Sequence, residues 1–166
     1  VIQAYYACAS FLDDMVGMVL DELARSRYAD NTLIIFWSDH GWHLGEKRSW
    51  RKFTLWEQSA RTPMIVVDPR RAGQAGRACP RPVGLIDLYP TLCELCGLDR
   101  PEHLQGRSLV PVLKNPAATH REFAYSSYPH GRGRGLKRVT GHSIRTARHR
   151  YTEWWEKGTD ELVTSI

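Results

Sequence analysis

The chain lacks any run of about 18 apolar residues, the length that a helix needs to cross the hydrocarbon core of a membrane. We therefore expect no membrane span. Cysteine is also scarce, with four in 166 residues, which does not make the disulfide framework of a small secreted domain. No internal repeat is present. At this length the chain can bury a core of its own.

Two of the cysteines, Cys93 and Cys96, have the C-x-x-C spacing of a redox or zinc site. They lie in an apolar segment, residues 85–96, which predicts a helix ended by Gly97. Neither a second C-x-x-C nor a pair of histidines is present to complete a zinc site. We favour helix packing over a redox or zinc role for these two side chains.

The net charge of +5 is concentrated in two arginine-rich stretches, residues 132–138 and 145–150. Such stretches attract polyanions. No base-stacking platform or nucleic-acid-binding motif accompanies them, so a nucleic-acid partner is not expected. Two alternatives stay open for 132–138: a non-catalytic module that binds a polyanion such as a sulfated sugar, and a solvated loop without a partner.

An apolar run at residues 33–37 stops abruptly at Ser38, Asp39, His40 and Gly41. Five large apolar residues in succession predict a strand that is buried on both faces. Ligands of open α/β sheets bind beyond the carboxyl ends of such strands, where Asp39 and His40 lie. A carboxylate and an imidazole can bind a divalent cation there. The alternative is a strand-ending turn with a capping aspartate and a surface histidine.

The segment that follows, residues 42–52, is rich in lysine and arginine and contains two tryptophans. Cations beside a metal suit an anionic substrate, because together they can neutralise charge on phosphoryl or sulfuryl oxygens. An ordinary surface loop is also charged, but it rarely carries two tryptophans. The segment therefore favours the metal interpretation of Asp39 and His40.

Three ordered motifs, at residues 38–46 (SDHGWHLGE), 50–57 (WRKFTLWE) and 61–67 (RTPMIVV), resemble those of sulfatases. The resemblance is strongest to the iduronate-2-sulfatase-like branch. Further likenesses extend it over nearly the whole chain, at residues 5–17, 84–92 and 143–154. The resemblance implies an alkaline-phosphatase-like fold and a sulfuric ester hydrolase that acts on a sulfated small molecule or carbohydrate.

The resemblance also implies roles for individual residues. Asp39 and His40 match the second pair of ligands to a catalytic calcium ion, although many sulfatases have asparagine where this chain has His40. Lys52 matches the lysine that contacts the sulfate of the substrate. The alternative for Lys52 is a surface ion pair with Glu46 or Glu57.

Three further residues are candidates for substrate binding. His43 lies inside the first motif, where it would shape the rim of the pocket. Tyr128 and His130 lie beside residues 132–138, the Arg-Gly stretch, on the kind of variable segment that recognises the sugar or aryl group in this fold.

The nucleophile of the family is missing from this sequence. Sulfatases of this kind use a formylglycine made from the cysteine of a Cys-x-Pro-Ser-Arg motif, and none of the four cysteines has that context. The first metal-ligand pair of the family, two successive aspartates near its N-terminus, is missing too. Asp13 and Asp14 do not match this pair, because they lie in a predicted helix with apolar periodicity. We therefore expect the chain to be the C-terminal part of a longer enzyme, inactive alone, with the formylglycine on the N-terminal part. A phosphonate or phosphoester hydrolase of the same superfamily is the alternative.

Helices alternate with strands early in the sequence, and strands follow one another late, which indicates an α/β core followed by a small antiparallel sheet. We assign residues 1–120 to the C-terminal portion of the α/β core and residues 121–166 to the start of the antiparallel subdomain. The predicted helices are 2–27, 85–96 and 109–113, and the predicted strands are 33–38, 64–67, 123–125, 142–146 and 151–155.

Overall fold

The structure is a computed structural model that describes residues 1–130, 138–159 and 161–165. The chain forms two compact units: Val1–Lys52 with Arg61–Ala75, and Phe53–Ala60 with Gly76–Ile166. Within the described residues, no helix is both long enough and apolar enough to cross a membrane. The Arg-Gly stretch lies outside the described residues, except for Arg138.

The first unit opens with the predicted helix, α1 (Ile2–Arg25). The helix stops at Ser26, whose hydroxyl donates a hydrogen bond of 2.8 Å to the carbonyl of Leu23. The same carbonyl accepts the backbone N–H of Ser26 at 2.9 Å, so the backbone and the side chain of Ser26 both bond to the last helical turn. A 3-10 turn at Ala29–Asn31 then leads into the first strand. Asp13 and Asp14 lie within α1, as the apolar periodicity predicts.

The predicted strands of the first unit pair with each other. Strand β1 (Ile34–Trp37) runs antiparallel to β4 (Met64–Val67), with Ile34 opposite Val67. The prediction that β1 is buried on both faces was wrong, because Ile34, Ile35 and Phe36 are half-buried and Trp37 is 51% exposed. Within the described residues, β1 pairs with one strand, β4, and part of the surface of β1 is therefore exposed to solvent.

A short hairpin between β1 and β4 was not predicted. It consists of β2 (His43–Leu44) and β3 (Trp50–Arg51), with His43 opposite Arg51. Two-residue strands are too short to show an alternating pattern, so periodicity gives no signal for them. The hairpin matters because Lys52 follows directly after β3.

The described residues of the second unit form three α-helices and a four-stranded antiparallel sheet in the order β5-β6-β7-β8. The sheet confirms the predicted antiparallel arrangement near the end of the chain, although the fourth strand was not predicted. The helices are α2 (Glu57–Ala60), α3 (Leu88–Cys96) and α4 (Val110–Lys114), and the strands are β5 (Phe123–His130), β6 (Val139–Thr146), β7 (Arg150–Glu156) and β8 (Leu162–Ser165).

Helix α3 confirms the interpretation of the C-x-x-C segment as part of a helix. Pro90 is its third residue, where a missing N–H is tolerated, and Gly97 ends it with a left-handed φ of 66°. Cys93 is buried and Cys96 is exposed, and both are free thiols. The packing role therefore applies to Cys93 only.

Asp87, just before α3, is fully buried and joins several segments of the second unit. Its Oδ1 accepts from the backbone N–H of Arg107 at 2.7 Å and from the Arg121 guanidinium at 3.3 Å. Its Oδ2 accepts from the N–H of Gly84 at 3.1 Å and lies 3.2 Å from Nε2 of His120. Burial alone would raise the pKa of Asp87. The hydrogen bonds and the Arg121 charge lower it by more than burial raises it, so the pKa is below its ordinary value.

Candidate active site

Three polar side-chain atoms of the first unit converge just beyond β1. Nε2 of His40 lies 3.3 Å from Oδ2 of Asp39 and 2.7 Å from Nζ of Lys52. Nδ1 of the same ring lies 2.8 Å from the carbonyl oxygen of Gly41. Because a carbonyl only accepts, Nδ1 donates this bond, and Nε2 is the acceptor that faces the lysine ammonium.

The His40 ring is held by its neighbours as well as by the Gly41 carbonyl. It stacks on the Trp42 ring at a centroid distance of 6.4 Å, and Trp42 in turn stacks on Tyr5 of α1 at 6.4 Å. The hydroxyl of Ser38 donates to the His40 carbonyl at 2.9 Å. The His40 side chain is 28% exposed, whereas the Asp39 side chain is 78% exposed. The imidazole is therefore oriented, and the carboxylate beside it is open to solvent.

The β2–β3 hairpin shapes the loop that carries Lys52. Gly45 has a left-handed φ of 116°, and a Cβ there would lie 3.4 Å from Cζ2 of Trp50. The side chain of Glu46 accepts a bond of 2.7 Å from the N–H of Leu44. This backbone bond is the main cause that lowers the pKa of Glu46. Glu46 thus stabilises the turn as an ionised carboxylate.

Four residues other than glycine have left-handed backbones around Lys52. Their φ values are 56° at Lys47, 54° at Arg48, 70° at Arg51 and 76° at Phe53. Such conformations are uncommon for residues with a Cβ, and they persist where surrounding contacts impose them. The segment that carries Lys52 therefore has backbone strain on both sides of the lysine.

Asp39 and His40 fit two neighbouring ligands of a divalent metal. An imidazole whose second nitrogen donates to a backbone carbonyl is the usual state of a metal-binding histidine. Calcium takes six to eight ligands, mostly oxygens, so further ligands are required. In the part of the chain that the structure describes, no group of three or more His, Cys, Asp or Glu side chains could hold a metal ion.

The remaining candidates do not join these three atoms in one described cluster. His43 is fully buried in β2, and its Nδ1 lies 4.0 Å from Oε2 of Glu46. Tyr128 belongs to the second unit, where its ring lies 6.3 Å from that of Phe53. His130 is the last residue of β5, and its side chain is outside the described atoms. Their roles in substrate binding stay predictions.

Sequence reasoning did not find a charged cluster that lies close to Lys52 along the chain. Oε2 of Glu57 accepts bonds from Nε of Arg145 at 3.0 Å and from Nη2 of Arg150 at 2.9 Å. The partners are 88 and 93 positions away from Glu57, so no local pattern could reveal them. The sequence indicates Glu57 only as an alternative ion-pair partner for Lys52.

Comparison with known proteins identifies the family. The family model described as Sulfatase matches residues 1–98. A sulfatase of Formosa agariphila is 37% identical over 162 residues, which cover 98% of this chain and 30% of that protein. The iduronate 2-sulfatase of Mus musculus is 34% identical, with 92% of this chain and 37% of that protein covered. The choline-sulfatase of Rhizobium meliloti is 40% identical over 70% of this chain and 23% of that protein.

Solved structures agree with this assignment. One solved structure shows a protein in complex with its substrate D-glucosamine-2-N,6-O-disulfate. It matches with a TM-score of 0.68 at 30% identity, and the match covers 90% of this chain and 30% of the neighbour's chain. The phosphonate monoester hydrolase of Agrobacterium radiobacter has a TM-score of 0.75 at 26% identity, with 92% of this chain and 34% of that chain covered.

The fold is therefore the alkaline-phosphatase-like α/β fold, with a small antiparallel sheet late in the chain. The chain belongs to the sulfatase family, whose members are hydrolases. It spans between 23% and 37% of the length of the three curated relatives named above.

Proposed function

We propose that this chain carries part of the active site of a sulfate ester hydrolase, with Asp39 and His40 as calcium ligands and Lys52 as the residue that contacts the sulfate. The convergence of the Asp39 carboxylate, His40 Nε2 and Lys52 Nζ beyond one strand supports this proposal. A sulfate group at this place could contact both a metal ion on Asp39 and His40 and the ammonium of Lys52.

Each residue has a definite task in this proposal. The Gly41 carbonyl holds Nδ1–H of His40, so that Nε2 presents its lone pair to the metal. Asp39 and His40 would hold the calcium ion, which would supply Lewis-acid polarisation of the sulfate ester. The Lys52 ammonium donates to sulfate oxygens and stabilises the negative charge that develops on them as the ester bond breaks. The backbone of the loop around Lys52 keeps this ammonium in position.

The nucleophile comes from outside these 166 residues in this proposal. The sequence contains no Cys-x-Pro-Ser-Arg motif from which a formylglycine could be made. The chain also covers only 30% of the Formosa agariphila sulfatase. We therefore propose that residues 1–166 alone are inactive, as the C-terminal part of a longer enzyme. In it, residues 1–120 would belong to the α/β core and residues 121–166 to the C-terminal subdomain.

The proposed substrate is a sulfated small molecule or carbohydrate. The names of the similar proteins support this class, since they include a choline-sulfatase, an iduronate 2-sulfatase and a protein bound to a disulfated glucosamine. Phosphonate ester hydrolysis is the second candidate, favoured by the likeness to a phosphonate monoester hydrolase at a TM-score of 0.75. Any role of Tyr128, His130 or His43 in substrate recognition belongs to the same proposal.

One experiment separates these chemistries. The longer protein that contains this chain is assayed with an aryl sulfate, a panel of sulfated sugars and a phosphonate monoester, with calcium and after its removal by a chelator. Calcium-dependent release of sulfate supports the proposal. Preferred hydrolysis of the phosphonate monoester selects the second candidate, and sulfate release that is unaffected by the chelator contradicts the calcium site.

The Arg-Gly stretch keeps a third, non-catalytic candidate open. If it binds polyanions, a joint change of Arg132, Arg134, Lys137 and Arg138 to alanine flattens the dependence of heparin binding on salt concentration. An unchanged slope rejects the polyanion-binding module.

A further inference from the structure

We infer that a cavity lined by Trp42, Trp50 and Arg51 binds the alcohol part of the substrate, and that this part is a sugar ring with a second anionic group. The two indoles would contact the ring, and the Arg51 guanidinium would contact the anionic group. The inference rests on the proposed function for the reaction at Lys52. The binding of an anionic sugar by the cavity is independent of that reaction.

The cavity belongs to the first unit alone and has a volume of about 560 Å³. Its lining consists of Val1, Trp42, Trp50 and Arg51. Pockets that bind small molecules have volumes of this order, and they combine apolar or aromatic walls with a few polar groups that orient the ligand. Two indoles and one guanidinium group are such a combination.

Both indoles have neighbours that fix their orientation. The ring of Trp42 stacks on the rings of Tyr5 and His40, in each case at a centroid distance of 6.4 Å. The ring of Trp50 lies over Gly45, where a Cβ would come within 3.4 Å of Cζ2. Trp50 is nevertheless 49% exposed, so a large part of its ring is accessible to a ligand. A rigid indole contacts a ring at a small cost in conformational entropy, and its N–H can donate to a hydroxyl group.

Arg51 supplies a positive charge at the cavity. Its side chain is exposed, and it forms no ion pair with any residue that the structure describes. A guanidinium group binds a carboxylate or a sulfate through two parallel hydrogen bonds. The backbone of Arg51 has a left-handed φ of 70°, and strained conformations of this kind cluster at ligand-binding sites. An anionic group on the ligand is therefore the complementary partner of Arg51.

The cavity adjoins the candidate active site. Trp42 is common to both, because its ring lines the cavity and stacks on the ring of His40. Lys52 follows Arg51 in the chain, and its Nζ lies 2.7 Å from Nε2 of His40. A single oxygen joins the sulfate of an ester to its alcohol part, so a sulfate at Lys52 needs a place for the alcohol part beside it. The cavity provides this place.

The lining of the cavity determines which esters use it fully. The indoles favour a ring with an apolar face, and Arg51 favours an anionic substituent on the same ring. Ethyl sulfate has neither feature outside its sulfate. A sugar with one sulfate has the ring alone. A sugar with two anionic groups, one at Lys52 and one at Arg51, makes all of these contacts.

The first test measures binding of glucosamine 2-N,6-O-disulfate to the longer protein by titration calorimetry. Lys52→Ala is the background, because the proposed reaction is slow in it. Trp50→Ala and Arg51→Gln should each weaken binding by at least about 10-fold, since one loses the ring contact and the other a hydrogen-bonded charge. Arg77→Gln removes an exposed arginine of the second unit and should bind as the background does. Unchanged binding in the two cavity variants, or no binding to the background protein, overturns the inference.

A second ligand separates the two contacts. Glucose 6-sulfate has the ring but one anionic group only. Trp50→Ala should weaken its binding as much as that of the disulfate, whereas Arg51→Gln should change it by less than about twofold. An equal loss for both ligands in Arg51→Gln would show that Arg51 does not recognise a second anionic group, and would contradict the inference.

Kinetics of the active longer protein separate ligand contact from support of the β2–β3 hairpin. With glucosamine 2-N,6-O-disulfate, Trp50→Ala should raise KM by about 10-fold and leave kcat within about twofold, because it removes binding rather than chemistry. With ethyl sulfate, both values should stay within about twofold, because this ester does not reach the indole. A loss of kcat that is equal for the two esters would show that Trp50 supports the hairpin instead.

Failure of this inference and failure of the proposed function give different results. If the disulfate binds through Trp50 and Arg51 but the longer protein releases sulfate from no ester, the proposed function fails and the cavity keeps its role. If sulfate is released and both variants bind like the background, the cavity fails and the proposed function stands.

Discussion

Nζ of Lys52 lies 2.7 Å from Nε2 of His40, the nitrogen that we propose as a metal ligand. An ammonium and a metal ion cannot use the same lone pair, so metal binding requires the ammonium to leave this ring. Asp39 lies on the same side, with Oδ2 3.3 Å from Nε2. The ammonium of Lys52 thus lies where a metal ion on His40 would lie under our proposal, and a metal there would leave this ammonium available to an anionic substrate.

This relationship gives a prediction for Lys52→Ala in the active longer protein. We expect kcat for an aryl sulfate to fall by about 10²- to 10³-fold, the usual loss when one donor to a developing oxyanion is removed. Calcium affinity, measured by titration calorimetry, should not fall, because the change removes a competitor for Nε2. Lys114→Ala, at the exposed end of α4, is the control and should leave both values unchanged. Full activity in Lys52→Ala would exclude Lys52 from the site.

The proposed ligands give a second prediction. Asp39→Asn and His40→Ala should each weaken calcium binding by at least about tenfold, since even changes behind the ligands cost that much. The measurement is calcium content after dialysis, together with titration calorimetry. Asp99→Asn and His149→Ala change exposed residues of the same types and should bind calcium as the wild type does. Equal affinity in all four variants would contradict the metal assignment.

The buried carboxylate of Asp87 makes stability depend on pH. Its pKa in the folded state is below the ordinary value of 3.8, so it stabilises the fold above that pH. This contribution is lost as pH falls through the folded-state pKa. Asp87→Asn should cost about 3–5 kcal/mol at pH 7, because it leaves buried donors and the Arg121 charge without their carboxylate. The difference from the wild type should shrink below pH 3.8.

Urea unfolding at pH 7 and pH 3 measures this difference. Asp99→Asn, an exposed aspartate of the same unit, is the control and should change stability little at either pH. A difference between Asp87→Asn and the wild type that is equal at both pH values would show that the charge of Asp87 does not contribute.

Gly106 provides a prediction about packing. A Cβ there would lie 1.9 Å from the carbonyl oxygen of Ile86, a backbone atom that cannot turn aside. We expect Gly106→Ala to destabilise the protein by about 3 kcal/mol or more, measured by thermal unfolding. Gly17→Ala is the opposite case, because nothing lies within 4 Å of its Cβ position in α1. It should stabilise the helix by up to about 1 kcal/mol. A milder loss at Gly106 would show that the segment after α3 can move.

The sequence predicted the parts of the fold whose signals are local. The period of α1, the apolar run of β1 and the alternation in β6 and β7 each depend on residues close together in the chain. The pair Asp39 and His40 was found because it interrupts an apolar run. Lys52 was found through its motif, and the structure brings its Nζ to the His40 ring.

The remaining features have causes that sequence patterns do not reveal. Lys47, Arg48, Arg51 and Phe53 have left-handed backbones, although glycine and asparagine are the residues that signal such conformations. The ion pairs of Glu57 depend on how β6 and β7 fold back, which no window of neighbouring residues contains. The division at residue 120 stays a prediction.

The four left-handed residues also restrict how this loop can vary. Valine, isoleucine and threonine are strongly disfavoured at positions 47, 48, 51 and 53, because their branched Cβ clashes with a backbone of positive φ. Glycine or asparagine is compatible with the geometry at the same positions. Functional sequences selected from a library randomised over residues 47–53 should therefore keep Lys52 for its charge and lose β-branched residues at its neighbours for their shape alone.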